Sequence, residues 1–407
     1  MTVFTGTDEQ GQTVSYNDHK RYWYLLAYTH SIIVASFYAA FLITGAALWL
    51  VMPVIWIFGI VPTIDLLVGE DTHNPPEAVM PAMIKDDFYR FSIYPHFVIA
   101  FAMFAFTIFI VGSFALPWWA YLALVISSGI GSGGILTLTH ELGHKTNKLD
   151  QFMAKIGNAL VGYGHFCIEH NRGHHVMVST PEDPASARMG ESIYRFAFRE
   201  IGGTFARGWH HERERLAKLG HGFWHYKNDV LQSYALSFVI IAICVAVFGP
   251  LILAFIVPHH IIGWYTLTQA NYIEHYGLLR AKKANGKYER TQPRHSWNTN
   301  HLFSNMQLFH LQRHSDHHAN PLRPYQVLRN FDDLPSLPNG YLGCYSLAAI
   351  PPLWYRIMDK KVMDWAGGDI TKVNIDPKAK ARLYRKYSPE LSLANKEVGS
   401  SSAGRAA

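Results

Sequence analysis

The chemistry in this chain sits with its histidines: there are 23, and nine of them fall into four short motifs. These are His140-Glu-Leu-Gly-His144, Glu169-His170-Asn-Arg-Gly-His174-His175, Asn271-Tyr-Ile-Glu-His275-Tyr-Gly and His314-Ser-Asp-His317-His318. On an α-helix, residues i and i+3 or i+4 share a face. The spacing therefore predicts that His140 with His144, His170 with His174, and His314 with His317 and His318 each present imidazoles to one point. That is the geometry of a metal ligand set. Nine imidazoles are too many for one ion, since tetrahedral zinc takes four ligands, so two ions with four or five imidazoles each is the economical count. Each motif also carries a carboxylate, Glu141, Glu169, Glu274 or Asp316, of the kind that accepts the second N–H of a ligating histidine and fixes its tautomer. His30, His96 and His259 stand alone in apolar stretches and read as packed or interfacial. His165, His301 and His310 lie near the motifs and read as structural.

Two other classes of function share part of this signal. HELGH alone is the HExxH signature of zinc proteases, with Glu141 as general base, but a protease would leave seven clustered histidines without a role. A metal transporter would carry ionisable ligands near the middle of its membrane spans. Here the histidines gather at one end of the apolar segments.

Those segments position the motifs. Residues 22–64, 91–140 and 230–273 contain no Asp, Glu, Lys or Arg, giving uncharged runs of 43, 50 and 44 residues in a chain that is only 16% charged. About 20 apolar residues cross a bilayer core, so each run is long enough for two crossings and too long for one. The expected fold is all-α: a six-helix transmembrane bundle in three hairpins, with a helical cap from residues 141–229 and 274–380 carrying the dimetal site. Residues 1–21 form an N-terminal segment, residues 22–380 a single integral-membrane catalytic domain, and residues 388–407, ending in GSSSAGRAA, a disordered tail or linker. His140 ends the fourth span and His275 follows the sixth, so nine imidazoles can converge at one membrane depth.

Charge and cysteine content narrow the setting. With six spans, all 36 Lys and Arg fall on the side of residues 1–21, 65–90, 141–229 and 274–407. The positive-inside rule makes that side, with both termini and the site, cytoplasmic. The polar, acidic start of the chain does not read as a cleaved signal peptide. Residues 185–229, with Arg195, Arg199, Arg207, Arg213 and Arg215 among aromatics, read as amphipathic helices at the membrane surface. The net charge of +6 is thus gathered on one face, suited to anionic lipid or an acidic protein partner rather than nucleic acid. Cys167, Cys244 and Cys344 form no CxxC pair, which excludes a disulfide framework and an iron–sulfur site in this chain.

The set HELGHK (140–145), EHNRGHH (169–175), NYIEHYGL (271–278) and LQRHSDHH (311–318) resembles the membrane-bound alkane 1-monooxygenase family, a branch of the membrane fatty-acid desaturase and hydroxylase superfamily. The histidine boxes alone suit the whole superfamily, and the NYIEHYGL and LQRHSDHH elements point to the alkane branch. The resemblance runs from the first span to about residue 360. It implies two non-haem irons on the nine histidines, O2 as co-substrate, a metal-bound oxidant, and electrons from a rubredoxin served by its reductase. That rubredoxin is expected as a separate chain or as a fusion beyond residue 407. The implied reaction converts medium- to long-chain n-alkanes to primary alcohols; the neighbouring alternatives are a fatty-acyl desaturase or hydroxylase and an alkyl-aromatic monooxygenase. An alkane has no polar handle, so an apolar tunnel reached from the lipid is expected to bind it. Trp56, roughly 12 Å deep at helical rise, is expected to cap that tunnel.

Overall fold

The computed structural model describes residues 2–390, so most of the expected tail lies outside the described residues. Four membrane-length helices come first: α1 (Arg21–Thr44), α2 (Ala47–Val68), α3 (Asp87–Ser113) and α4 (Trp118–Gly143). Cap helices α5 (Lys148–Leu160), α6 (residues 166–177) and α7 (Ile193–Lys218) follow. Helices α8 (Asp229–Phe248) and α9 (Pro250–His275) complete six candidate spans. The cap is closed by α10 (Leu302–Gln307), α11 (His314–Ala319), α12 (Tyr341–Ala348) and α13 (Pro351–Trp365). The chain is thus a mostly helical integral membrane protein, as its uncharged runs predict.

Two details differ from the sequence reading. The N-terminal segment folds as a β-hairpin, β1 (Val3–Thr7) and β2 (Thr13–Asn17), paired antiparallel with Phe4 opposite Tyr16. Its turn is held by the Asp8 carboxylate, which accepts from the Gln10 and Gln12 amides, and by Gly11 at φ +77°. The second span also runs past the end of its uncharged run. Asp65 lies inside α2, fully buried, and its Oδ1 accepts the Ser304 amide at 2.9 Å, joining α2 to α10. A carboxylate is tolerated there because a backbone donor meets it.

The central element is α4, whose most apolar window is 67% buried, against 22–39% for the other five spans. Its glycines explain the burial. A Cβ at Gly133 would stand 2.8 Å from the Gly263 carbonyl oxygen, and one at Gly129 2.6 Å from the Ile262 side chain. Small residues let α4 and α9 approach closely, as in other membrane bundles. This crossing brings the end of α4, with His140, beside the end of α9, with His275.

Candidate metal centre

The nine motif histidines come together in two groups. His140, His144, His170, His175 and His317 form one, and His174, His275, His314 and His318 the other, each offering ligand atoms within 4.8 Å of one another. The pairing along α6 departs from the i, i+4 expectation. Residues His170–His174 form a single π-helical turn, so the chain repeats at i+5 there and His170 meets His175 rather than His174. Their Nε2 atoms stand 2.9 Å apart, while the His174 ring turns to His275 and His318, with centroids 4.9 Å from each. On α11, His314 and His318 stay together with Nε2 atoms 2.9 Å apart, and His317 points across to His175 at 3.2 Å.

This donor set fits metal ions. Nε2 of His140, His144, His174 and His275 is buried with no hydrogen-bond partner, an arrangement that costs free energy unless a cation satisfies the lone pairs. Burial, reinforced by neighbouring imidazoles, holds His170, His175, His314, His317 and His318 well below the ordinary histidine pKa. Burial likewise takes His144 down to about 3. These rings are therefore neutral, the form that ligates.

The outer contacts are unequal. His174 Nδ1 lies 2.8 Å from the Asp183 carboxylate, and both groups are buried. Burial opposes a charge on His174, but Asp183 outweighs it and raises the pKa. Burial also opposes the Asp183 charge, and His174 with Arg207 outweighs it, holding Asp183 below the carboxylate range. Arg207 donates to Asp183 at 2.7 Å and, through Nε, to Glu169 at 2.8 Å. His275 Nδ1 faces the His295 carbonyl at 3.4 Å, and His314 Nε2 is 3.1 Å from Glu274, whose other oxygen accepts the Tyr341 hydroxyl at 2.7 Å.

Three of the four motif carboxylates thus do something other than hold a histidine. Glu141 pairs with Lys145 at 2.7 Å, Glu169 with Arg207, and Asp316 with Arg323 at 2.6 Å. Asp183, which does hold one, carries no motif signal beyond a turn flanked by Pro181 and Pro184. The arginines of the 185–229 stretch also differ from a surface reading. Arg195, Arg199, Arg207, Arg213 and Arg215 lie on one helix, α7, and Arg199 and Arg207 reach Glu191, Glu169 and Asp183, where their charge offsets the burial of the carboxylates. His165, His301 and His310 bond instead to Tyr234, Thr299 and the Tyr325 carbonyl and join neither group.

A largely apolar cavity opens from the histidines into the bundle. His140, His170 and His314 are in its wall at one end and Tyr38, Thr107 and Ser127 at the other. His30 and His96, read from the sequence as packing residues, are also in the wall, while His259 bonds to Ser132 and His260 at 3.0 Å. Trp56 is not among the lining residues. It is 7% exposed and meets the Phe303 ring edge-on at 6.4 Å, while its neighbour Ile57 is in the cavity wall.

A membrane bundle whose cap gathers histidines into metal-capable groups over an apolar cavity defines a class of protein, and the fatty acid desaturase family model matches residues 116–347. The chain is 48% identical over 86% of its length to alkane 1-monooxygenase 1 of Alcanivorax borkumensis, covering 88% of that protein. It is 48% identical over 82% of its length to alkane 1-monooxygenase of Ectopseudomonas oleovorans and 46% over 84% to that of Pseudomonas putida, covering 83% and 85% of them. The chain belongs to the alkane 1-monooxygenase family, which makes it an oxidoreductase.

Proposed function

We propose that this chain hydroxylates the terminal carbon of medium- to long-chain n-alkanes at a di-iron centre held by the nine histidines. The observation that carries this reading is the juxtaposition of two imidazole groups able to hold metal with an apolar cavity sunk among the spans. The balanced reaction is R–CH3 + O2 + 2 e− + 2 H+ → R–CH2OH + H2O. The electrons come from a rubredoxin; this chain has no cysteine pair of its own to hold an iron–sulfur site. His140, His144, His170, His175 and His317 would hold one iron and His174, His275, His314 and His318 the other. Iron there would supply the activation of O2.

The chain's own residues do the rest. The cavity takes the alkane from the lipid by apolar contact and excludes water, and the histidines in its wall meet the chain end. Asp183 and the His295 carbonyl face Nδ1 of His174 and His275 and so orient those two rings, while Glu274 lies beside His314. Residues 22–380 act as one catalytic unit in a bacterial inner membrane, with the cap on the cytoplasmic side where the reductant is supplied.

Elemental analysis of detergent-purified protein tests the reading first. Two irons per chain with negligible zinc, followed by 1-octanol from octane with rubredoxin and O2, support it. One zinc and no iron would overturn it. An alkene or a hydroxyacyl product would move the chain to the desaturase or acyl-hydroxylase side of the superfamily.

A further inference from the structure

We infer that Asp65 is a proton carrier for the reduction of O2, taking protons from the cap surface at Glu70 and His301 and passing them through the Ser304 hydroxyl into the cavity beside His314. The inference rests on the monooxygenase reading above and adds the route by which its two protons arrive.

The proposed reaction consumes two protons per turnover in a largely apolar cavity from which the substrate displaces water. Those protons must therefore come through groups built into the wall, and Asp65 stands behind one of them. It is fully buried near the end of α2, and no Lys or Arg occurs on α2 or on α10 and α12, the helices packed against its last turns. Glu169, Asp183, Glu191 and Asp316 are also buried, but each meets an arginine. The Asp65 Oδ1 accepts the Ser304 amide at 2.9 Å, and Oδ2 is buried without a hydrogen-bond partner. Anchoring α2 to α10 accounts for Oδ1 and leaves Oδ2 unexplained. An ionisable side chain inside a membrane-length helix marks function more often than packing, since its burial costs free energy. A proton held on Oδ2 gives that atom a role.

The carboxyl has neighbours on both sides. Toward the cavity, a Cβ at Gly340 would strike both Asp65 Oδ2 and Ser304 Oγ, so the hydroxyl stands against the carboxyl, and Ser304 shares the cavity wall with His314. Gln312, two residues before His314, donates from Nε2 to Ser304 Oγ at 2.7 Å, which fixes the hydroxyl oxygen and leaves its proton to turn between Asp65 and the cavity. Toward the surface, Glu70 and His301 pair in a β-bridge just past the span. His301 Nδ1 is 3.7 Å from the half-exposed Glu70 carboxylate, and its imidazole acts electrostatically on Asp65. About one helical turn separates Glu70 from Asp65 and His301 from Ser304, so the route follows the seam between α2 and α10. Besides His301, the titratable groups on the elements packed against Asp65 are Tyr341, Cys344 and Tyr345 of α12.

In each transfer the Ser304 hydroxyl releases its proton to the cavity while Oγ takes the proton from Asp65 Oδ2. The carboxylate left behind takes a proton from His301, which is recharged through Glu70 from water. Two transfers match the two electrons from rubredoxin, so no net charge builds up in the bundle.

The test compares Asp65→Asn, Ser304→Ala and Ser304→Thr with the parent chain, with iron content measured for each. Asparagine keeps the acceptor for the Ser304 amide and cannot carry the proton. Infrared spectra of the purified protein, taken without turnover, should contain the C=O band of a protonated carboxyl that shifts in D2O. That band should be lost in Asp65→Asn and moved in Ser304→Ala. With rubredoxin, O2 and octane, Asp65→Asn should lower turnover by about 100-fold at unchanged iron content, the scale of a general acid. Its remaining rate should fall by about tenfold per pH unit, because the proton then comes from water, while the parent profile stays flat around neutrality. Ser304→Ala should reproduce that slope and Ser304→Thr, which keeps the hydroxyl, should recover the flat profile; this pair decides if Asp65→Asn fails to fold. An anchoring role alone would lower the rate equally at every pH. Parallel pH profiles, or an infrared spectrum that Asp65→Asn leaves unchanged, would overturn the relay. O2 consumption with these pH dependences but without 1-octanol would keep the relay and overturn the proposed reaction instead.

Discussion

The two histidine groups lie side by side, yet they are supported differently. In the four-histidine group three rings have a partner outside the group: His174 has Asp183, His275 the His295 carbonyl and His314 the Glu274 carboxylate. In the five-histidine group, among the described residues, no ring bonds to a carboxylate or a backbone carbonyl, and the rings meet one another. Outer partners fix tautomer and raise ligand basicity. The lesson is that ligand number and ligand support vary in opposite directions here: five loosely supported imidazoles against four well-supported ones.

Four experiments break or sharpen this contrast. The largest effect is expected from the adjacent residues His174 and His175. Alanine at 174 should remove metal from the four-histidine group and alanine at 175 from the five-histidine group, each leaving one metal per chain and no alkane turnover. Indistinguishable spectra for the two variants would erase the division. Next comes Asp183→Asn, which keeps the side-chain shape but removes the charge. Metal affinity of the four-histidine group should fall by about 10–100-fold, in line with other outer-partner changes, and that of the other group should hold. Chelator titration followed by metal analysis would show this as a second, weaker class of metal.

A smaller and pH-dependent effect is expected at Glu200. This carboxylate lies on α7, is fully buried, and accepts from Thr268 and Asn271 on α9, the helix that delivers Glu274 and His275 to the four-histidine group. Burial raises its pKa to about 7. The folded state therefore holds the proton more tightly than the unfolded state, and the resulting stability, full below the ordinary carboxylate pKa of about 4.5, is lost as pH rises through about 7. The Tm of the parent should fall across that window, and Glu200→Gln should flatten the fall. The smallest effect belongs to the five-histidine side. Lys145→Ala breaks a partly exposed pair with Glu141 and should change stability by less than about 1 kcal/mol with metal content intact. A loss of metal there would mean that Glu141 supports the group after all.

Some of this was readable from the residues alone, and the reasons for the rest are physical. Spans can be read because a lipid-facing helix cannot carry charge, and the second span outruns its uncharged run at Asp65, where a neighbouring amide meets the carboxylate. The nine histidines can be read because helical spacing clusters them. Their division cannot, since it turns on one π-helical turn at His170–His174 that i, i+4 spacing does not announce. Asp183 escapes for a similar reason, because its contact to His174 is made by a turn outside any motif. Trp56 draws attention through bulk but stands outside the cavity wall, and that shows only once α1, α3 and α9 surround α4.

His174 and His175 are consecutive, and they serve opposite groups. One peptide unit, about 3.8 Å between α-carbons, therefore ties the two histidine groups together mechanically. His317 and His318 repeat the arrangement on α11, so two covalent struts from different helices span the gap. A displacement of either helix therefore moves both histidine groups in concert.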